Sequence, residues 1–111
     1  GGYSSVESLL HHKPDAIFVA SDTMAFGVVR AIKDAGLVVP NDIAVIGFDD
    51  LPPSRRSTPQ LTTVRQPILR FGAHAVDVLI EIIASGDQPP HQTLFDTELV
   101  IRDYCGEKLR I

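Results

Sequence analysis

Two short, uniformly apolar runs, AIFVA (16–20) and IAVIGF (43–48), flank a stretch of helical periodicity, and no other feature constrains the fold as strongly. Apolar runs of this length without polar alternation suit strands covered on both faces, as parallel strands are. Between them Met24, Val28, Ala31, Ile32 and Ala35 recur at i, i+4, i+7, i+8 and i+11, the inward stripe of an amphipathic helix. Ser21 or Asp22 can cap its start, since either side-chain oxygen accepts a first-turn N–H. Gly36 stands where a left-handed residue ends a helix, and Pro40-Asn41-Asp42 forms the next turn. Strand, helix and strand with tight polar joints form a βαβ unit, so the expected fold is α/β, a parallel sheet with flanking helices.

Val6, Leu9 and Leu10 predict a short helix over 4–12, broken at Lys13-Pro14-Asp15. Asp49 to Gln60, with Pro52, Pro53 and Pro59, reads as a loop, and Leu61 to Gln66 as a short extended segment. Pro67 suits the first turn of a helix, where its missing N–H does no harm. That helix carries Ile68, Gly72, Ala75, Val76, Leu79, Ile82 and Ile83 on one stripe and closes at Ser85-Gly86. Thr93 to Ile101 alternates like an edge or exposed strand. A self-contained doubly wound sheet needs more strands than the two evident here, so the elements read as the end of a larger fold. Unpaired edges and uncovered apolar surface then predict that the isolated chain self-associates or is a piece of something longer.

The formal net charge is −4, which argues against this segment gripping nucleic acid by itself, because phosphate binding needs a concentrated cationic surface. Cys105 is the only cysteine, so no internal disulfide can form, and a cytoplasmic protein is expected. No apolar run approaches the roughly 18 residues that span a bilayer, so no membrane contact is expected. The chain opens without Met and without a signal-peptide pattern, as a processed or excised piece would.

In an open parallel sheet, ligands bind at the crevice beyond the carboxyl ends of the strands. Ser21-Asp22 follows the first apolar run and Asp49-Asp50 the second, so Ser21, Asp22 and Asp49 are the candidate ligand contacts. A carboxylate beside a hydroxyl suits hydroxyl-rich molecules, because an ionised carboxylate accepts several hydrogen bonds. The bland alternative makes Asp22 only a helix cap and Asp50 only a turn residue. There is no nucleophile elbow, P-loop or dinucleotide-binding glycine pattern, and no cofactor or catalytic residue is expected. His11, His12, His74 and His91 lack metal-site spacing, no metal is expected, and His74 reads as solvated surface.

PDAIFVASDTMAFG (14–27), GLVVPNDIAVIGFDD (36–50) and PQLTTVRQP (59–67) stand in an order and spacing that resembles the LacI/GalR (lactose-repressor) family, as does the terminal I-R-D pattern (101–103). The resemblance implies a periplasmic-binding-protein-like, two-lobed effector-binding core of which this chain is the C-terminal part. It implies that residues 1–66 belong to the C-terminal lobe. Residues 67–111 would supply the crossover helix and a terminal strand returning through the N-terminal lobe. Asp49 and Ser21 would meet a sugar or related polar effector, and serine replaces the asparagine of the lactose repressor itself. Phe26 and the loop Ser54, Arg55, Arg56 and Ser57 match the region where two subunits pair as a homodimer. Operator DNA would be bound only through an upstream helix-turn-helix outside this chain. The rival expectations are a periplasmic-type sugar-binding protein of a transport system and, more remotely, an α/β enzyme using Asp49 or Asp22.

Overall fold

A computed structural model describes residues 1–87 and 92–109, so His91 lies outside the described residues. The described chain divides into a larger unit, Gly1–Arg65 with the stretch from Glu98 onward, and a smaller one, Gln66–Thr97.

In the larger unit, α1 (Gly2–Leu10) and α2 (Asp22–Asp34) accompany β1 (Ala16–Phe18), β2 (Ala44–Asp49), β3 (Thr62–Arg65) and β4 (Glu98–Val100). The sheet runs β1-β2-β3-β4. The first pairs are parallel, and β4 lies antiparallel to β3, with Leu99 opposite Val64. The terminal strand belongs to the sheet of the larger unit. Beyond it the chain stays with the sheet, where Val45 donates its N–H to the Tyr104 carbonyl at 2.8 Å and Tyr104 is buried.

The core forms where α2 lies on the sheet face that carries Val45 and Gly47. Val6, Ala25, Val28, Val29, Ile32, Val45 and Leu61 are buried there. The inward stripe of α2 is thus Asp22, Ala25, Val28, Val29, Ala31 and Ile32, while Met24 is 40% exposed and Ala35 is also exposed. Val28, Ala31 and Ile32 of the expected stripe are buried, and the inner face widens to Ala25 and Val29 because α2 packs against α1 as well as the sheet. At that contact a Cβ on Gly2 would run into the Met24 carbonyl, so only glycine lets the backbones meet. On the other face of the sheet Phe18 is 65% and Leu99 54% exposed, so β1 is not covered on both sides within the described residues.

The expected loop after β2 contains a short helix, α3 (Pro52–Arg56). Its prolines occupy the first turn, where a missing N–H has no intrahelical partner to lose. The smaller unit contains α4 (Ile68–Ser85), capped by Gly86 at φ 72°, as its sequence predicts. Phe95 meets the Phe71 ring tilted and the His74 ring edge-on, and His74 Nε2 lies 3.0 Å from Thr93 Oγ1. His74 is therefore half-buried, with packing and hydrogen-bond contacts that its sequence position did not reveal. No described helix is long and apolar enough to cross a membrane.

Candidate functional site

The parallel strands end together. Phe18 pairs with Ile46, so Ser21 and Asp49 each lie three residues beyond that pair, at the same edge of the sheet. Asp49 in turn pairs with Arg65, the last residue of β3. Ser21 is extended (φ −153°, ψ 155°) and its hydroxyl accepts the Met24 N–H at 3.3 Å, so it caps α2. Asp49 is half-buried.

The backbone at this edge is unusual. Asp49 has φ 118° and Asp50 φ 56°. Aspartate tolerates the left-handed region better than most residues, but a φ near 118° lies outside it. Residues held in such regions carry strain of about 1–3 kcal/mol each and concentrate at ligand sites, where surrounding contacts must support them. Those contacts are present.

Asp22, also an expected ligand contact, is fully buried. Its Oδ1 accepts the Thr63 hydroxyl at 2.6 Å; its Oδ2 accepts the Ser54 hydroxyl at 2.6 Å and the Leu51 N–H at 2.8 Å. Gly47 makes room for this carboxylate, since a Cβ there would run into Asp22 Oδ1 and come within 3.0 Å of Leu61 Cδ2. Ser54 is also fully buried, with its hydroxyl on Asp22. The reason is the same in both cases: α3 folds back over the end of α2, so polar groups that look solvated in one dimension satisfy one another inside.

Asp50 is the centre of a second cluster and far more than a turn residue. It is 3% exposed, and its carboxylate meets Arg65 Nε at 2.7 Å, Arg102 Nη2 at 2.7 Å and Arg55 Nε at 3.2 Å. Its N–H donates to Thr63 Oγ1 at 3.3 Å, and its carbonyl accepts Arg55 Nη2 at 3.2 Å. Burial works to raise the Asp50 carboxyl pKa, but hydrogen bonds from Arg65 and Arg102 and the charges of Arg102 and Arg55 outweigh it, holding the group below the usual aspartate value. Arg102 is itself tied down, its N–H on Thr62 Oγ1 at 2.8 Å and its Nη1 on the Leu61 carbonyl at 2.9 Å. Arg65 also reaches Glu98 Oε2 at 3.5 Å.

Sequence reasoning did not single out Thr63, Arg65 or Arg102, although all three fall inside the LTTVRQP and I-R-D patterns. Those patterns mark the residues without revealing what they touch. Of the remaining expected residues, Phe26 is half-buried against the core, Arg55 and Arg56 are exposed, and Ser57 is half-buried with its hydroxyl donating to the Ser54 carbonyl at 3.4 Å. Among the described residues, no group of His, Cys, Asp and Glu converges in a metal-binding arrangement.

Comparisons with known proteins identify the fold and its relatives. Residues 2–105 match the model of the periplasmic binding protein-like domain family. The chain is 46% identical over 103 residues to the lactose operon repressor of Rhizobium radiobacter, covering 91% of this chain and 90% of that protein. It is 41% identical over 105 residues to the transcriptional regulator MalR of Clostridium butyricum, covering 93% of this chain but 31% of that protein. Its structure superposes on a LacI family transcriptional regulator from Enterococcus faecalis, solved with bound ribose, with a TM-score of 0.83 and 30% identity, covering 94% of this chain and 39% of that one. The chain thus spans under a third of MalR and about two-fifths of that solved structure. Matched along nearly its whole length by the family model, by the lactose operon repressor and by the regulator MalR, the chain belongs to the LacI (lactose-repressor) family of transcriptional regulators.

Proposed function

We propose that this chain is the C-terminal part of the effector-binding core of a bacterial transcriptional regulator that responds to a sugar or related polar metabolite. The observation that carries this reading is the strand-end Asp49, held at φ 118° at the sheet edge it shares with Ser21. An ionised carboxylate and a hydroxyl at one crevice suit a polyol, and the strain there is what a pre-shaped ligand site stores. Asp49 and Ser21 are the effector contacts. Phe26 with Arg55, Arg56 and Ser57 forms the surface on which two subunits pair. The whole protein is a cytoplasmic homodimer that reaches operator DNA through a segment outside this chain. Its mechanism is linkage: effector shifts the regulator between two arrangements only by the difference in its affinity for them. Transcriptional regulators among the relatives favour this over a transport receptor or an enzyme.

The test is calorimetric titration of the full-length protein with lactose and, separately, D-ribose. Asp49→Asn keeps the shape but removes the charge. A hydrogen bond to a charged group contributes about 1.5–3 kcal/mol, so affinity should fall roughly ten- to a hundredfold. Unchanged affinity would remove Asp49 from the site. A signal peptide in place of an upstream helix-turn-helix in the full coding sequence would overturn the regulator reading in favour of transport.

A further inference from the structure

The backbone just after Asp49 is held from two directions by buried groups. From α2, Asp22 Oδ2 accepts the Leu51 N–H at 2.8 Å, and Oδ1 accepts the Thr63 hydroxyl at 2.6 Å. The same Thr63 oxygen accepts the Asp50 N–H at 3.3 Å, so one hydroxyl bridges the Asp22 carboxylate and the Asp50 backbone. From β3 and the segment after β4, Arg65 and Arg102 each reach the Asp50 carboxylate at 2.7 Å. Asp22 and Thr63 are 0% exposed and Asp50 3%, so none of them is presented to a ligand.

Burying two carboxylates is strongly unfavourable unless donors and charges engage them; here the Leu51 N–H on Asp22 and the Asp50 N–H on Thr63 tie the backbone that follows Asp49, while Arg65 and Arg102 hold the Asp50 carboxylate. The φ of 118° at Asp49 is a conformation that an L residue does not keep without such support. We propose that Asp22 and Asp50, bridged by Thr63, are positioning residues that clamp the Asp49–Leu51 turn and so aim the Asp49 carboxylate into the crevice. The proposal deepens the assignment of Asp49 as an effector contact and rests on it. The clamp also ties Asp49 to both passages of the chain out of and back into the larger unit, because Arg65 is the last residue before the exit and pairs with Glu98 at the return.

Thr63→Val tests this without changing side-chain shape or charge, and Thr63→Ser restores the hydroxyl. Amide hydrogen exchange in the full-length protein needs no ligand and decides the clamp directly. In Thr63→Val the Asp50 and Leu51 amides should exchange at least about tenfold faster while the buried amides of α2 keep their rates, and Thr63→Ser should return them to wild type. Unchanged exchange at Asp50 and Leu51, or uniform acceleration through the larger unit, overturns the clamp. Titration with lactose and D-ribose separates the two levels. Loss of affinity in both Asp49→Asn and Thr63→Val supports positioning. Loss in Asp49→Asn alone, with the turn loosened in Thr63→Val, overturns positioning and leaves the site standing. Binding that persists unchanged in Asp49→Asn removes the site, and positioning with it.

Discussion

Replacing Asp50 by asparagine removes one negative charge from among three arginines while keeping the side-chain shape. Arg65 and Arg102 stand 2.7 Å from the carboxylate and Arg55 3.2 Å. Their side chains are 42%, 10% and 56% exposed, respectively, so they lose their partner in unequal environments. Breaking a buried pair by removing one member typically destabilises by about 3–5 kcal/mol, because the other charge stays desolvated. Arg102 meets that condition, but Arg65 and Arg55 can rehydrate, and an exposed pair is worth at most about 1 kcal/mol. The asparagine oxygen also still accepts one arginine. The expected loss is therefore about 2–4 kcal/mol, a shift of roughly 1–2 M in urea midpoint at unchanged slope. The same exposures order the arginine variants: Arg102→Met should destabilise most, Arg65→Met less, and Arg55→Met by under about 1 kcal/mol. Urea unfolding of the full-length protein, followed by a signal from this region, makes the measurement. A loss below about 0.5 kcal/mol in Asp50→Asn, or equal effects from the three arginines, would refute the view that burial decides this cluster's worth.

Acid should weaken the same cluster. Because the Asp50 carboxyl is held below its ordinary value of 3.8, the stabilisation is fully present above that value and is lost as pH falls through the lowered one. Stability measured from pH 6 downward should drop below about pH 4, less steeply in Asp50→Asn, and parallel acid limbs would contradict this. Gly47→Ala should destabilise by about 1–3 kcal/mol, since the added methyl meets Asp22 Oδ1 and Leu61; a neutral result in thermal or urea unfolding would mean that Asp22 can swing aside without loss. This chain, at a formal net charge of −4, should bind duplex DNA immeasurably at physiological salt, and salt-sensitive binding in an anisotropy titration would argue against the proposed division of labour.

Periodicity and punctuation made much of the secondary structure legible. The apolar runs became β1 and β2, the spacing of Val28, Ala31 and Ile32 gave α2, and Gly36 and Gly86 ended their helices at positive φ. These signals are local: side-chain direction repeats every two or 3.6 residues whatever the rest of the chain does. The edge position of Ser21 and Asp49 followed as well, because parallel neighbours must end on one side. Tertiary structure alone decided which acids are buried among donors. Asp22 meets Thr63 across 41 positions, and Arg102 meets Asp50 from beyond β4. The inner face of α2 widened because a second helix shares it, α3 turned Ser54 inward, and β4 joined β3 from a segment whose alternation could not name its partner. A buried carboxylate is stable only where donors converge on it, and that convergence is a property of the packed chain, invisible in the pair of aspartates that ends a strand.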